Sequence, residues 1–316
     1  MFQGYAFLLC AVMCWSSLPV LTKLAYSCGF TPLSLALFRF AGAFVLLLPA
    51  SVLWLRLYPA QLRAFRSRPG LLARVVLQAG AFATAAYSSF YALEVLQASL
   101  ATILIYLSPT FTSLLAVILF KEKMTRGRLF SLILTLAGLT AVLGWQSGGL
   151  SSPAGIALAV LSALLSSAYF LLGQKNTAHV HPLLLTTTMA GVSTLMSLVT
   201  WNAWGGEARS LTPAMMAVGG AIAVLPTTLG PILDLLGIRR LGASRGAILT
   251  TLEPPIALVL AAILLNDVLR PLQILGAVLV MAGVFVLGAE DYSTRQGRHR
   301  PTQNHWERTA EGGTSC

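Results

Sequence analysis

The sequence predicts an all-α integral membrane protein of ten transmembrane helices, built as two inverted five-helix repeats. Three observations predict it. Of 316 residues, 56% are hydrophobic and only 10% charged, with a mean hydropathy of +0.78, whereas soluble domains carry about 25% charged residues. The apolar residues fall into ten runs of the length that crosses a bilayer as a helix, about 20 residues. The chain also contains itself twice: 98–143 overlays 243–288 at a constant offset of 145, without a gap.

Polar and Gly/Pro clusters delimit the ten runs. The first, 4–26, stops at Ser27-Cys28-Gly29 and reads as a first helix rather than a cleaved leader, since no basic start precedes it. The second and third, 33–55 and 71–93, flank a loop rich in arginine. The fourth, 98–120, ends at Lys121-Glu122-Lys123, and the fifth, 127–145, completes the first repeat. The sixth to tenth are 154–174, 182–202, 213–236, 244–265 and 271–289. Residues 1–148 are thus expected to form the first repeat and 149–290 the second. The polar remainder, 291–316, rich in Arg, Gly and Thr, reads as a disordered basic tail.

The basic residues set the orientation. Alternate loops carry Arg56, Arg63, Arg66, Arg68 and Arg74; Lys121, Lys123, Arg126 and Arg128; Lys175; and Arg239, Arg240 and Arg245. With Arg295, Arg298, Arg300 and Arg308 of the tail these make 17 of the 21 Lys and Arg. Lys23, Arg209 and Arg270 lie towards the other side, and Arg39 lies within a span. By the positive-inside rule both termini are cytoplasmic. The net charge of +11 is therefore an orientation signal, and nucleic acid is excluded as a partner. The lipid bilayer takes that place.

In the overlay, Ala98, Ser99, Ile103, Leu104, Leu107 and Pro109 meet Ala243, Ser244, Ile248, Leu249, Leu252 and Pro254, while Ala137-Gly138 meets Ala282-Gly283. Glu122 meets Asp267. A fainter match pairs Gly4–Pro49 with Gly155–Val199 with about a one-residue shift. Five spans, an odd number, separate the copies, so they cross the membrane in opposite directions, as in alternating-access transporters. The loop Lys121–Arg128 is heavily basic, whereas its partner Asn266–Pro271 keeps only Arg270, as opposite orientation requires.

Ionisable groups inside a span are costly, about 2.5–3.5 kcal/mol each on insertion scales, so each needs a reason. Arg39, about two turns into the second helix, either meets an anionic or carboxylate-bearing solute or snorkels to the outer interface. Asp234 either binds an amine, takes part in proton coupling, or pairs with Arg239 or Arg240. Glu253 is the most deeply placed acid, directly before Pro254-Pro255, where missing backbone donors free carbonyls. It either lines a polar cavity or braces the kink. Pro109, with Ser108, occupies the matching place in the first repeat, and paired breaks of this kind point to a midplane site. Trp15, Tyr87 and Tyr106 lie mid-span by counting and complete the candidate substrate-binding set; Ser16, Ser17, Ser88, Tyr91 and Tyr169 lie around them. Lys23 and Glu94 end their helices and read as interfacial. Four cysteines give no disulfide or metal pattern, the four histidines fall in loops or tail, and no phosphate-binding Gly-x-x-x-x-Gly-Lys-Ser/Thr run is present. No metal, cofactor or ATP drive is expected.

Trp15-Ser16 with Lys23, Pro32 and Arg39-Phe40 resembles the start of an EamA-type repeat. Phe90-Tyr91-Ala92-Leu93, Ala98-Ser99, Ser108-Pro109 and Lys121-Glu122-Lys123 resemble its second part. The same part recurs in Arg240-Leu241-Gly242-Ala243-Ser244-Arg245 and Leu252-Glu253-Pro254. The resemblance covers nearly all of 4–289 and implies a ten-helix transporter of the drug/metabolite superfamily, of the kind that exports amino acids or related metabolites across a bacterial inner membrane. Two departures stand where a solute would sit: Ser16 replaces the usual Gly after the Trp, and Gly230-Pro231 with Asp234 replaces a more aromatic pattern. The superfamily's four-helix drug exporters rely on an acid in the first helix, and this first helix has none.

The expectation is a secondary transporter of a small polar solute, foremost an amino acid, with protons as a candidate coupling ion. A permease for drugs or nucleotide-like solutes is the alternative. A non-transporting scaffold or sensor that docks through its basic tail comes third, and an enzyme is not expected.

Overall fold

The computed structural model describes residues 2–58, 69–96, 104–121, 124–143, 152–203, 212–265 and 271–298. They form α1 (Phe2–Ser16), α2 (Leu18–Ser27), α3 (Pro32–Leu57), α4 (Pro69–Val95), α5 (Ser108–Phe120), α6 (Arg126–Leu143), α7 (Pro153–Asn176), α8 (Pro182–Ala203), α9 (Pro213–Val224), α10 (Gly230–Leu241), α11 (Ala243–Leu249), α12 (Glu253–Leu265) and α13 (Pro271–Arg298). No strand occurs among the described residues. Seven stretches are long and apolar enough to cross a membrane, among them Phe2–Ser27, Pro213–Leu241 and Ala243–Leu264, each running through a break in regular α-helix. Ser108–Phe120 and Pro271–Val286 are shorter apolar helices.

Hydroxyl-proline pairs start several of these helices. Thr31 caps α3 through the Ser34 N–H while Ser34 returns the bond, with Pro32 in the first helical turn. Ser152 accepts from the Gly155 N–H ahead of α7, and Thr212 accepts from the Met215 N–H ahead of α9. A hydroxyl cap satisfies a helix-start donor, and proline there has no donor to satisfy. Seven of the ten predicted runs fall on the seven membrane-length stretches, the eighth reaching Leu241 instead of 236, while the fourth and tenth fall on the two shorter helices and the fifth on α6. α13 continues past Glu290 to Arg298, because no helix breaker intervenes before Gly297. Ala98, Ser99, Ile103, Glu122, Lys123, Asp267, Arg270, the arginines at 63, 66, 68 and 209, and the tail from 299 lie outside the described residues. So does the Glu94 side chain.

The helices pair as α1 with α10, α4 with α7, α3 with α8, α5 with α11 and α6 with α13. Glycines allow the closest approaches. A Cβ on Gly4 would lie 2.8 Å from Leu241 Cγ, and one on Gly155 would lie 2.6 Å from Leu96 Cγ. These are corresponding contacts, since the faint match pairs Gly4 with Gly155 and the offset of 145 pairs Leu96 with Leu241. The α6–α13 contact behaves likewise. A Cβ on Gly138 would meet Gly276 O and Val280 N, and one on Gly283 would meet Ser131 O and Thr135 N. At the same offset, Gly276 and Val280 are the counterparts of Ser131 and Thr135. Facing outward, Val45, Leu53, Ile118, Leu195, Val199, Ile263 and Phe285 are exposed. This is the apolar perimeter that a bilayer covers.

Candidate functional site

Four chain segments lose regular α-helix near mid-span. α1 stops at Ser16 and α2 begins at Leu18-Pro19, so Pro19 leaves the Trp15 carbonyl without its helical donor. The chain turns at Tyr106-Leu107 before Ser108-Pro109 starts α5. Leu225–Leu229 forms a π-helical turn around Pro226, where the Thr227 and Thr228 hydroxyls donate to the carbonyls of Ile222 and Ala223 at 2.8 Å each. Thr250–Leu252 is a 3-10 turn before Glu253-Pro254-Pro255. The breaks at Tyr106 and Thr251 correspond at the offset of 145. π-bulges and broken helices mark functional sites because backbone polar groups there are free to meet a solute.

Side chains tie these breaks together. The Tyr106 hydroxyl donates to Glu253 Oε2 at 2.7 Å, and Ser16 Oγ reaches the Glu253 carbonyl at 3.2 Å as well as Val12 O at 2.7 Å. Glu253 thus lies at the junction of three broken segments, its carboxyl bonded by Tyr106 and its backbone carbonyl by Ser16. A Cβ on Gly230, which follows the π turn, would lie 3.1 Å from Trp15 Nε1. Trp15 continues into an aromatic series, with ring centroids 6.2 Å from Phe82, then 5.5 Å from Phe82 to Tyr169.

Asp234 lies at the far end of that series. The Tyr169 hydroxyl donates to Asp234 Oδ2 at 2.7 Å, while Asp234 Oδ1 is buried without a partner. Pairing with Arg239 or Arg240 is therefore not what holds it. Arg240 instead lies 4.7 Å over the Phe7 ring. Nearer the other end of the spans, Arg39 is only 5% exposed, so its guanidinium does not snorkel to the surface. It lies 4.5 Å from the Phe40 ring centroid, Nε has no hydrogen bond, and among the described residues no carboxylate pairs with it. Tyr87 and Tyr26 lie within its electrostatic reach. The Tyr87 hydroxyl bonds Ser197 Oγ at 2.7 Å and lies 3.5 Å from Thr200 Oγ1.

The structure thus brings Trp15, Tyr106 and Glu253 together, sets Asp234 below them through Phe82 and Tyr169, and sets Arg39 with Tyr87 towards the opposite end. Tyr169, Phe82 and Gly230 complete the arrangement, and sequence counting did not rank them. The one signal available for Tyr169 was its depth in an apolar run, which does not reveal that a phenol faces an acid on another helix. Among the described residues no group of three or more His, Cys, Asp or Glu could hold a metal.

The family model described as "EamA-like transporter family" matches twice, over residues 2–144 and 153–289. An uncharacterized transporter of Synechocystis is 26% identical over 212 residues, 66% of this chain and 64% of that relative, so the chain spans just under two thirds of its length. A probable amino-acid metabolite efflux pump of Salmonella typhimurium is 28% identical over 230 residues, covering 69% of this chain and 67% of that one. A crystal structure superposes with a TM-score of 0.73 at 17% identity, covering 91% of this chain and 96% of the other, a likeness of fold alone. Two copies of one family model cover nearly the whole helical body, and the chain belongs to the EamA-like transporter family.

Proposed function

We propose that the chain is a secondary transporter of ten spans in two inverted five-helix repeats, both termini cytoplasmic, in a bacterial inner membrane. It exports amino acids or related small metabolites by alternating access through a central path. The corresponding glycine contacts of Gly4 with Gly155 and of Gly138 with Gly283 support the inverted repeat. The observation that carries the substrate class is charge placement. A buried guanidinium with no carboxylate partner among the described residues lies towards one end of the path, and a partly buried carboxyl at a cluster of freed backbone carbonyls lies at its middle. A zwitterion supplies both missing partners. Arg39 receives the carboxylate, Glu253 the ammonium, and Trp15, Tyr87 and Tyr106 the walls, while Asp234 is left to meet a second amine or a proton. The Salmonella relative's name agrees with that class.

Counterflow in proteoliposomes loaded with a pool of labelled amino acids tests this, comparing wild type with Arg39→Ala and Glu253→Gln. Saturable uptake that falls at least tenfold in both variants is expected. Uptake retained in both discards these residues as the site. No uptake of any amino acid by folded wild type, with uptake of a nucleotide-like or drug solute, replaces the substrate class.

A further inference from the structure

Asp234 is a buried and Glu253 a partly buried acid, each bonded by a tyrosine, but their surroundings differ in kind. Glu253 opens α12 directly after a 3-10 turn, next to the carbonyls that Pro254 and Pro255 leave without donors and beside the Ser16 hydroxyl. That is several acceptors around one point, which suits an ammonium with three donors. Asp234 sits inside regular helix α10, 2% exposed, against the apolar cluster of Leu235, Ile238, Phe170 and Phe82. One of its oxygens is taken by Tyr169 and the other, Oδ1, has no partner. An acid held in such a place with a single free oxygen accepts one proton and little else. Metal cations of the hard type collect about six oxygen ligands, and Asp234 with Tyr169 supplies three.

Among the described residues no ion pair holds it. Glu253 lies within electrostatic reach of Asp234. The helices packed against α10 are α1, α7, α8 and α11. They bring the titratable groups Tyr5, Cys10 and Cys14 of α1, Tyr169 and Lys175 of α7, Arg245 of α11, and His181 just ahead of α8. Arg245 donates to the Leu241 carbonyl, Lys175 lies over the Phe120 ring, and Arg239 of α10 itself faces His181. The one described hydrogen bond to the carboxyl comes from Tyr169.

We propose that Asp234, oriented by Tyr169, is a proton-binding site separate from the solute site at Glu253, and that it couples outward solute movement to inward proton movement. This rests on the transporter reading above. Asp234 Oδ1 takes a proton from the outer medium while the path faces out. When the path faces the cytoplasm, an ammonium arriving at Glu253 places a positive charge within reach of Asp234 and expels that proton inward. One solute then leaves and one proton enters per cycle.

Two measurements on reconstituted protein decide it. In the first, an internal pH dye follows proton movement driven by an amino-acid gradient, beside amino-acid counterflow in the same vesicles, for wild type and Asp234→Asn. Wild type should move protons opposite to the solute. In Asp234→Asn the ratio of proton movement to counterflow should fall at least tenfold. Counterflow without proton movement in wild type overturns the proposal, as does an unchanged ratio in the variant or a solute flux that follows a sodium gradient. Equal loss of both in the variant assigns Asp234 to the solute site and overturns it too. Absence of wild-type counterflow of any amino acid overturns the transport reading on which it rests. The second measurement needs no variant: an apolar carbodiimide should label Asp234 in acidic medium, and added solute should slow the labelling at least threefold. No labelling there, or labelling indifferent to solute, overturns the proposal.

Discussion

The close contact of α6 with α13 makes a sharp prediction for Gly138→Ala. A Cβ at 138 would lie 2.6 Å from Val280 N, 2.7 Å from Gly276 O and 2.8 Å from Leu279 Cβ, where ordinary contact begins at 3.4 Å. Two of those atoms are backbone and cannot rotate away, so the helices must separate by about 0.8 Å, the difference between 3.4 and 2.6 Å. Overpacking of a tight interface costs about 1–3 kcal/mol, and alanine returns up to about 1 kcal/mol of helix propensity relative to glycine. Because the clash is with backbone, the net loss should be near the upper end, about 2 kcal/mol. Gly80→Ala makes the same chemical change where nothing lies within 4 Å, so only the propensity gain remains. Thermal unfolding in detergent micelles should therefore fall by several degrees for Gly138→Ala and hold or rise slightly for Gly80→Ala. Adding Gly283→Ala to Gly138→Ala should cost less than the sum of the singles, since one separation relieves both clashes. A Gly138→Ala protein as stable as wild type, or a Gly80→Ala protein that loses as much, refutes the reasoning.

Gly230→Ala should raise the KM for the transported solute about fivefold, an effect of about 1 kcal/mol, with little change in unfolding temperature. The added Cβ lies 3.1 Å from Trp15 Nε1 and turns the indole rather than the backbone; proteoliposome kinetics read it. Tyr106→Phe removes the donor to Glu253 Oε2, and a hydrogen bond to a charged group is worth about 1.5–3 kcal/mol. Counterflow should drop about tenfold, and Tyr87→Phe, which spares Glu253, should drop it less. His181 lies outside the spans, stacked on Trp54 at 4.1 Å. Burial first, then the Arg239 guanidinium, hold its pKa below the usual imidazole value of 6.5. The folded state thus binds this proton more weakly than the unfolded one, so its contribution is present above pH 6.5 and is lost as the pH falls through the depressed value. Unfolding temperatures at pH 8 and pH 5 should differ less in His181→Asn than in wild type, and an equal difference would reject the assignment.

The apolar runs that fold as membrane-length helices were legible because span length and helix starts are local properties: Thr31-Pro32, Ser152-Pro153 and Thr212-Pro213 each announce a helix whose cap the structure contains. The repeat was legible because the same contacts must form twice, which keeps Gly138 and Gly283 at one offset. Arg39, Glu253 and Asp234 stood out since a charge in an apolar run always carries a cost. What each of them meets was not legible. Asp234 had Arg239 and Arg240 close in sequence, yet its bond comes from Tyr169, 65 positions away.

Local chemistry and periodicity therefore establish that this chain lives in a membrane, where its helices begin, and that its two halves share one pattern. They also mark which polar residues need an explanation. Folding settles the partners, because those depend on which helices touch. Tyr106 reaches Glu253 across 147 positions, Trp15 packs beside Gly230 after the π turn, and among the described residues no carboxylate pairs with Arg39. A charge declares its cost within a few residues of sequence, but the group that offsets that cost can stand anywhere the tertiary packing brings close.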